Sequence, residues 1–121
     1  MKAGPLFAAL LAFATAVAAG DADVIDVKVR QSGDGVFNFD VTVRSVDKGW
    51  AYYADAFEVL APDGRVLGRR ILLHPHETEQ PFTRDLHGVR IAPGIRDVVV
   101  RARHKPRGYD GETLRIRLPG R

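Results

Sequence analysis

From position 37 to position 44 every second side chain is apolar: Phe37, Phe39, Val41 and Val43 alternate with Asn38, Asp40, Thr42 and Arg44. Successive side chains of a pleated strand point to opposite faces, so this rhythm makes one apolar face and one polar face. Wound as a helix, the same residues would scatter around the whole circumference and leave no stripe to bury. The rhythm recurs. Ile25, Val27 and Val29 alternate with Asp26, Lys28 and Arg30; Val98, Val100 and Ala102 with Asp97, Val99, Arg101 and Arg103; Leu114, Ile116 and Leu118 with Thr113, Arg115 and Arg117. Nothing after position 20 sustains a helical period.

Turn signals separate these runs. Ser32-Gly33-Asp34-Gly35 follows the first, and Asp47-Lys48-Gly49 the second. Residues 50–55 fit a short helical turn as well as extended chain. Phe57, Val59 and Leu60 precede Ala61-Pro62-Asp63-Gly64-Arg65, where proline suits the first turn corner and glycine a positive φ. Residues 66–73 return, so 55–73 read as a hairpin. Residues 82–86 form a short strand, 89–94 a connection, and 104–111 a loop with glycine and proline. About seven short strands at spacings of roughly 8–12 residues predict an all-β fold: a single antiparallel β-sandwich over 23–119, immunoglobulin-like or fibronectin type III-like in architecture. The cysteine–tryptophan–cysteine signature of antibody domains is absent.

The first twenty residues differ in kind. Lys2 precedes an uncharged run rich in alanine, leucine and phenylalanine, which ends in Ala14, Ala16, Ala18, Ala19 and Gly20. This is the layout of a signal peptide, 1–20, with cleavage between 18 and 22. The run is short and weakly apolar for a membrane anchor and has no basic residues after it. The expected location is periplasmic or secreted, with no membrane span after signal cleavage.

Composition removes several chemistries. The 121 residues contain no cysteine, so thiol nucleophiles, thiolate zinc sites, iron–sulfur clusters and a lipid-bearing cysteine are out of reach. The formal charge of +3 is too mild to point to nucleic acid. Only Ser32 and Ser45 remain as serines, neither in a nucleophile elbow, and no glycine-rich phosphate loop is present. A small sandwich seldom builds the deep cleft that paired catalytic carboxylates need. The expectation is a non-enzymatic binding or accessory domain.

Three groups of residues carry chemistry. His74 and His76, two apart around Pro75, face one way on an extended segment, and His104 continues the row of Val98, Val100 and Ala102. Convergence of the three, with Glu77 or Glu79 as a further ligand, would make a nitrogen and oxygen site for copper(II) or zinc. The same histidines can instead lock a strand corner by bonding backbone carbonyls, or titrate at mildly acid pH. His87 reads as a surface residue in a turn. Trp50, Tyr52 and Tyr53, with Asp55, form either a stacking platform for sugar rings or peptide, or a plug at one end of the sandwich. Arg101, Arg103, Arg115 and Arg117 share a face if the last two strands pair. Such a face fits an anionic polymer or another envelope protein, or simply a solvated surface that blunts aggregation. Arg69 and Arg70 are placed to pair with Asp55 or Glu58 across the hairpin.

The run Leu60-Ala61-Pro62-Asp63-Gly64, then Leu67-Gly68, Leu73-His74-Pro75-His76 and Glu79-Gln80-Pro81-Phe82-Thr83-Arg84 resembles a family of small exported proteobacterial proteins of uncharacterised function. The resemblance extends from about position 23 to the C-terminus. It implies a shared fold and an envelope location, and no activity.

Overall fold

The structure, a computed structural model, describes residues 19–121. The expected signal segment therefore lies outside the described residues, apart from its last two positions. Seven strands follow in order: β1 (Ala22–Gly33), β2 (Val36–Ser45), β3 (Tyr53–Leu60), β4 (Val66–Ile71), β5 (Phe82–Arg90), β6 (Asp97–Lys105) and β7 (Leu114–Arg117). They form two antiparallel sheets, three-stranded β1-β2-β5 and four-stranded β4-β3-β6-β7. The sheets pack face to face as an all-β sandwich. Among the described residues no helix is long and apolar enough to cross a membrane.

The alternating runs explain the layers. Phe37, Phe39, Val41 and Val43 of β2 lie inside with no exposed surface, against Phe57 and Val59 of β3 and Val98 and Val100 of β6. Each phenylalanine buried in this way contributes about 1.5–3 kcal/mol relative to an exposed one. Two cross-connections close the sides. Arg70 of β4 donates to the Asp85 carbonyl and carboxylate of β5, at 2.7 Å each. The Val24 amide of β1 donates to the Glu112 carbonyl ahead of β7 at 2.9 Å. Arg70 thus binds across the sheets rather than to Asp55 or Glu58.

Three local readings change. A bulge between Val24 and Asp26 adds one residue to β1, so Val24 takes the inward place and Ile25 is only half-buried. In β5, the chain runs on to Arg90 instead of ending at 86. His87 and Gly88 form a bulge opposite Asn38, whose side-chain oxygen accepts the Gly88 amide at 2.9 Å. A bulge lets a strand absorb a glycine at φ 71° and resume, which is why turn-type residues misled the periodicity. Residues 50–55 form no helical turn. A bend closed by the Tyr52 amide on the Gly49 carbonyl, 3.2 Å, leads directly into β3.

Candidate functional site

Because Phe57 and Val59 face the core, Glu58 between them must face outward, yet it has no exposed surface. Its cross-strand neighbours cover it: Arg69 on β4 and Arg101 on β6 are both in register with it. Arg69 donates from Nε to Oε2 at 2.6 Å, and Arg101 from Nε to Oε1 at 2.8 Å. Burial alone raises the Glu58 carboxyl pKa. The bonds and charges of Arg101 and Arg69 outweigh it, so the group lies below the usual carboxylate range and stays ionised at neutral pH. Tyr109, from the connection between β6 and β7, lies over the Arg101 guanidinium at 3.6 Å.

One rung along the sheet, Ala56 pairs with Ile71 and Arg103. Its small side chain leaves a floor. Above it opens a shallow cavity of about 340 Å³ lined by Tyr53, Asp55, Arg69, Ile71, Arg103 and Tyr109. Asp55 sits at the bulge between Ala54 and Ala56. Arg103 holds one of its oxygens, and the other, Oδ1, is buried without a hydrogen bond. Next to Tyr53, Trp50 is 64% exposed and meets that ring edge-on at 5.9 Å. Lys105 lies 5.6 Å from the same tyrosine ring.

The last two strands pair, and Arg115 and Arg117 continue this outer face beside Arg101 and Arg103. Both approach Asp97, at 3.8 and 2.7 Å. The Arg117 bond leads the causes that hold the Asp97 carboxyl below the usual range. Five arginines therefore share three carboxylates, Glu58, Asp55 and Asp97, and the face keeps a positive surplus. Guanidiniums offer planar, paired donors for carboxylate or phosphate, and the rings offer flat apolar surface.

The aromatic trio divides. Trp50 stays on the surface and Tyr53 backs it from a mostly buried position. Tyr52 leaves the platform, because its hydroxyl donates to Asp21 at the start of the chain's described part. That bond is also the main reason its phenol pKa is raised. Tyr109 and Ile71 join the site without having been singled out in the sequence. Tyr109 lies in an irregular loop, where no period signals which way a ring turns. Ile71 is the last residue of its strand, and only the register with Ala56 reveals that it walls a cavity.

The histidines do not converge. His104 is fully buried, donates from Nε2 to the Val46 carbonyl at 2.8 Å, and packs edge-on against Tyr52 at 4.4 Å. His76 is stacked on Phe82 at 4.0 Å, with both ring nitrogens buried and unbonded. His74 lies 4.5 Å from His76 but is exposed, and its Nδ1 donates to the Pro75 carbonyl. Glu77 stands exposed beside Gly49, and Glu79 pairs with Arg84 at 3.0 Å. Among the described residues no group of three or more histidine, aspartate or glutamate side chains is placed to hold a metal ion. Two neighbouring imidazoles fall short of the three or four protein ligands of a zinc site. The corner is held by Asp47 instead. Its carboxylate accepts the Ser45 hydroxyl, the Ala54 amide and the His76 amide at 2.8, 3.0 and 2.7 Å. Gln80 bridges Ser45 and the His76 carbonyl.

A second, open cavity of about 490 Å³ lies between Gln31, Asp34, Arg90 and Arg121. The Arg121 guanidinium is spent there on the carbonyls of Ile91, Ala92 and Ile95, at 2.9, 2.6 and 2.8 Å. It is a clamp on the loop after β5.

The chain is similar to a protein of the halophilic archaeon Halomicrobium mukohataei described as "Putative lipoprotein". The two are 38% identical over 94 residues, which is 78% of this chain and 46% of that protein. The matched part thus spans about half of the relative's length. This relative is archaeal, not one of the proteobacterial proteins that the sequence resemblance pointed to. No family model matches the chain, and no solved structure matches it.

Proposed function

We propose that this chain is an exported, non-enzymatic accessory domain of the cell envelope that holds an anionic polymer on the outer face of its four-stranded sheet. The observation that carries the reading is the cavity over Ala56. Two tyrosines, Tyr53 and Tyr109, and two arginines, Arg69 and Arg103, line it, and the exposed Trp50 stands against Tyr53. Stacking on Trp50 and Tyr109 suits the flat faces of sugar rings, and Arg69 and Arg103 suit carboxylate or phosphate substituents. Export is supported by the signal-like leader and by the relative's description as a lipoprotein. In this reading the domain is periplasmic or secreted. The strand order 1-2-5 against 4-3-6-7 supports placing the sandwich in the immunoglobulin-like or fibronectin type III-like group.

Titration calorimetry with polygalacturonate as the anionic polymer, dextran as the uncharged one and polyglutamate as the acidic peptide tests the proposal. Polygalacturonate is expected to bind, more weakly as salt rises. Trp50→Ala and Arg103→Ala are each expected to weaken it at least tenfold. Equal binding of dextran would remove the charge argument, and preference for polyglutamate would point to a protein partner. Absence of any binding would overturn the reading.

A further inference from the structure

The first described residues are built into the fold rather than trailing from it. Ala22, the first residue of β1, has no exposed surface and pairs with Ser45. The Asp21 carbonyl accepts the Val46 amide at 2.9 Å, and its carboxylate accepts the Tyr52 hydroxyl. Gly20 lies so close to the β6–β7 connection that a methyl group on it would run into the Asp110 carbonyl and the Gly111 Cα. Its amide donates to Asp23 Oδ1 at 2.8 Å. Ala19, by contrast, is exposed.

Asp23 is the reason this matters. Its side chain is only 3% exposed, and Oδ1 also accepts the Glu112 amide at 2.7 Å. The nearest cation, Arg44, stays 3.9 Å away on the other oxygen. A buried carboxylate held chiefly by neutral amides lacks a close opposite charge.

The structure assigns the processing bond of this chain: Ala19–Gly20, with the freed Gly20 ammonium seated on Asp23. This rests on the exported reading above. Hydrolysis by a signal peptidase consumes one water and leaves a carboxylate on Ala19 and an ammonium on Gly20. Ala19 then stands directly before the cut, with Val17 at the third position before it; the small pair Ala16 and Ala18 fits a cut one bond earlier, so the seat on Asp23 is what selects Gly20. A cut after Gly20, Asp21 or Ala22 removes groups the sandwich uses. A cut after Ala18 keeps an idle exposed residue and leaves Asp23 facing a neutral amide.

The full chain is expressed with its own leader in a Gram-negative host, and the exported product is weighed by intact mass spectrometry. The expected mass is that of residues 20–121. A product beginning at 19, or at 21 or later, overturns this inference and leaves export standing. A product retaining the leader overturns both. In a second measurement, the chain beginning at Gly20 is compared with one carrying two alanines ahead of it. The expected result is a higher melting midpoint for the free glycine, a difference that Asp23→Asn abolishes. Equal midpoints would show that the ammonium has no partner there.

Discussion

At the histidine corner, His76 lies on Phe82, His104 holds the Val46 carbonyl, and Asp47 takes three donors from three segments. On the arginine face, guanidiniums from β4, β6 and β7 reach into solvent over three carboxylates, with Trp50 and Tyr109 at the edge. Both regions drew attention as chemistry-bearing residues. One uses its polar groups to fix the chain, and the other leaves part of them unspent. The difference is strand phase. His104 is in step with the core-facing row of β6, whereas Arg101 and Arg103 fall on the alternate positions of the same strand. Adjacent residues of one strand thus serve opposite purposes.

The largest expected effect lies at the corner. Phe82→Ala removes the ring beneath His76 and opens a cavity beside the core, with an expected loss of about 3–5 kcal/mol in urea unfolding. A loss near zero would show that the corner is not packed as described. On the face, Glu58→Gln keeps the shape but leaves Arg69 and Arg101 without their anion. The expected cost is about 1–3 kcal/mol at neutral pH. Because the folded carboxyl is held low, that difference is present above the ordinary glutamate value of 4.5. It disappears as pH falls through the folded value.

A smaller effect separates the two regions by pH. Burial, then Arg84 and His74, push the His76 imidazole below its ordinary 6.5, against the opposing pull of Glu79 and Asp47. The unfolded chain then binds a proton that the folded chain refuses. Stability is flat well above pH 6.5 and falls as pH drops from 6.5 towards the lowered folded value. His76→Phe is expected to stay within about 1 kcal/mol of the parent at pH 8 and to flatten that slope, because an apolar ring leaves no buried nitrogen unbonded. An unchanged slope in unfolding curves from pH 8 to pH 5 would assign the titration elsewhere. The smallest stability effect belongs to the open region. Trp50→Ala is expected to change unfolding by less than about 0.5 kcal/mol while weakening polymer binding. A large loss of stability there would make the tryptophan a structural plug.

Much of the fold was legible because it depends on period alone. The β2 row, the β3–β4 hairpin and the β6–β7 pair follow from alternation and turn chemistry. Bulges escaped notice, since one extra residue in β1 or β5 breaks the rhythm without any residue type that announces it. The site was half legible. Trp50, Tyr53, Asp55, Arg101 and Arg103 were in view, whereas Tyr109, Ile71 and the burial of Glu58 were not.

By itself, the order of residues determined that this chain is a two-layered antiparallel sandwich, and which side chains of each strand share a face. A strand's faces are a property of consecutive residues, so they can be read locally. Which distant strands lie side by side, and hence that Arg101 closes over Glu58 opposite Arg69 while the three imidazoles stay apart, was decided only by tertiary structure. Register between segments forty residues apart is fixed by packing and hydrogen-bond satisfaction across the whole core, and no local pattern encodes it.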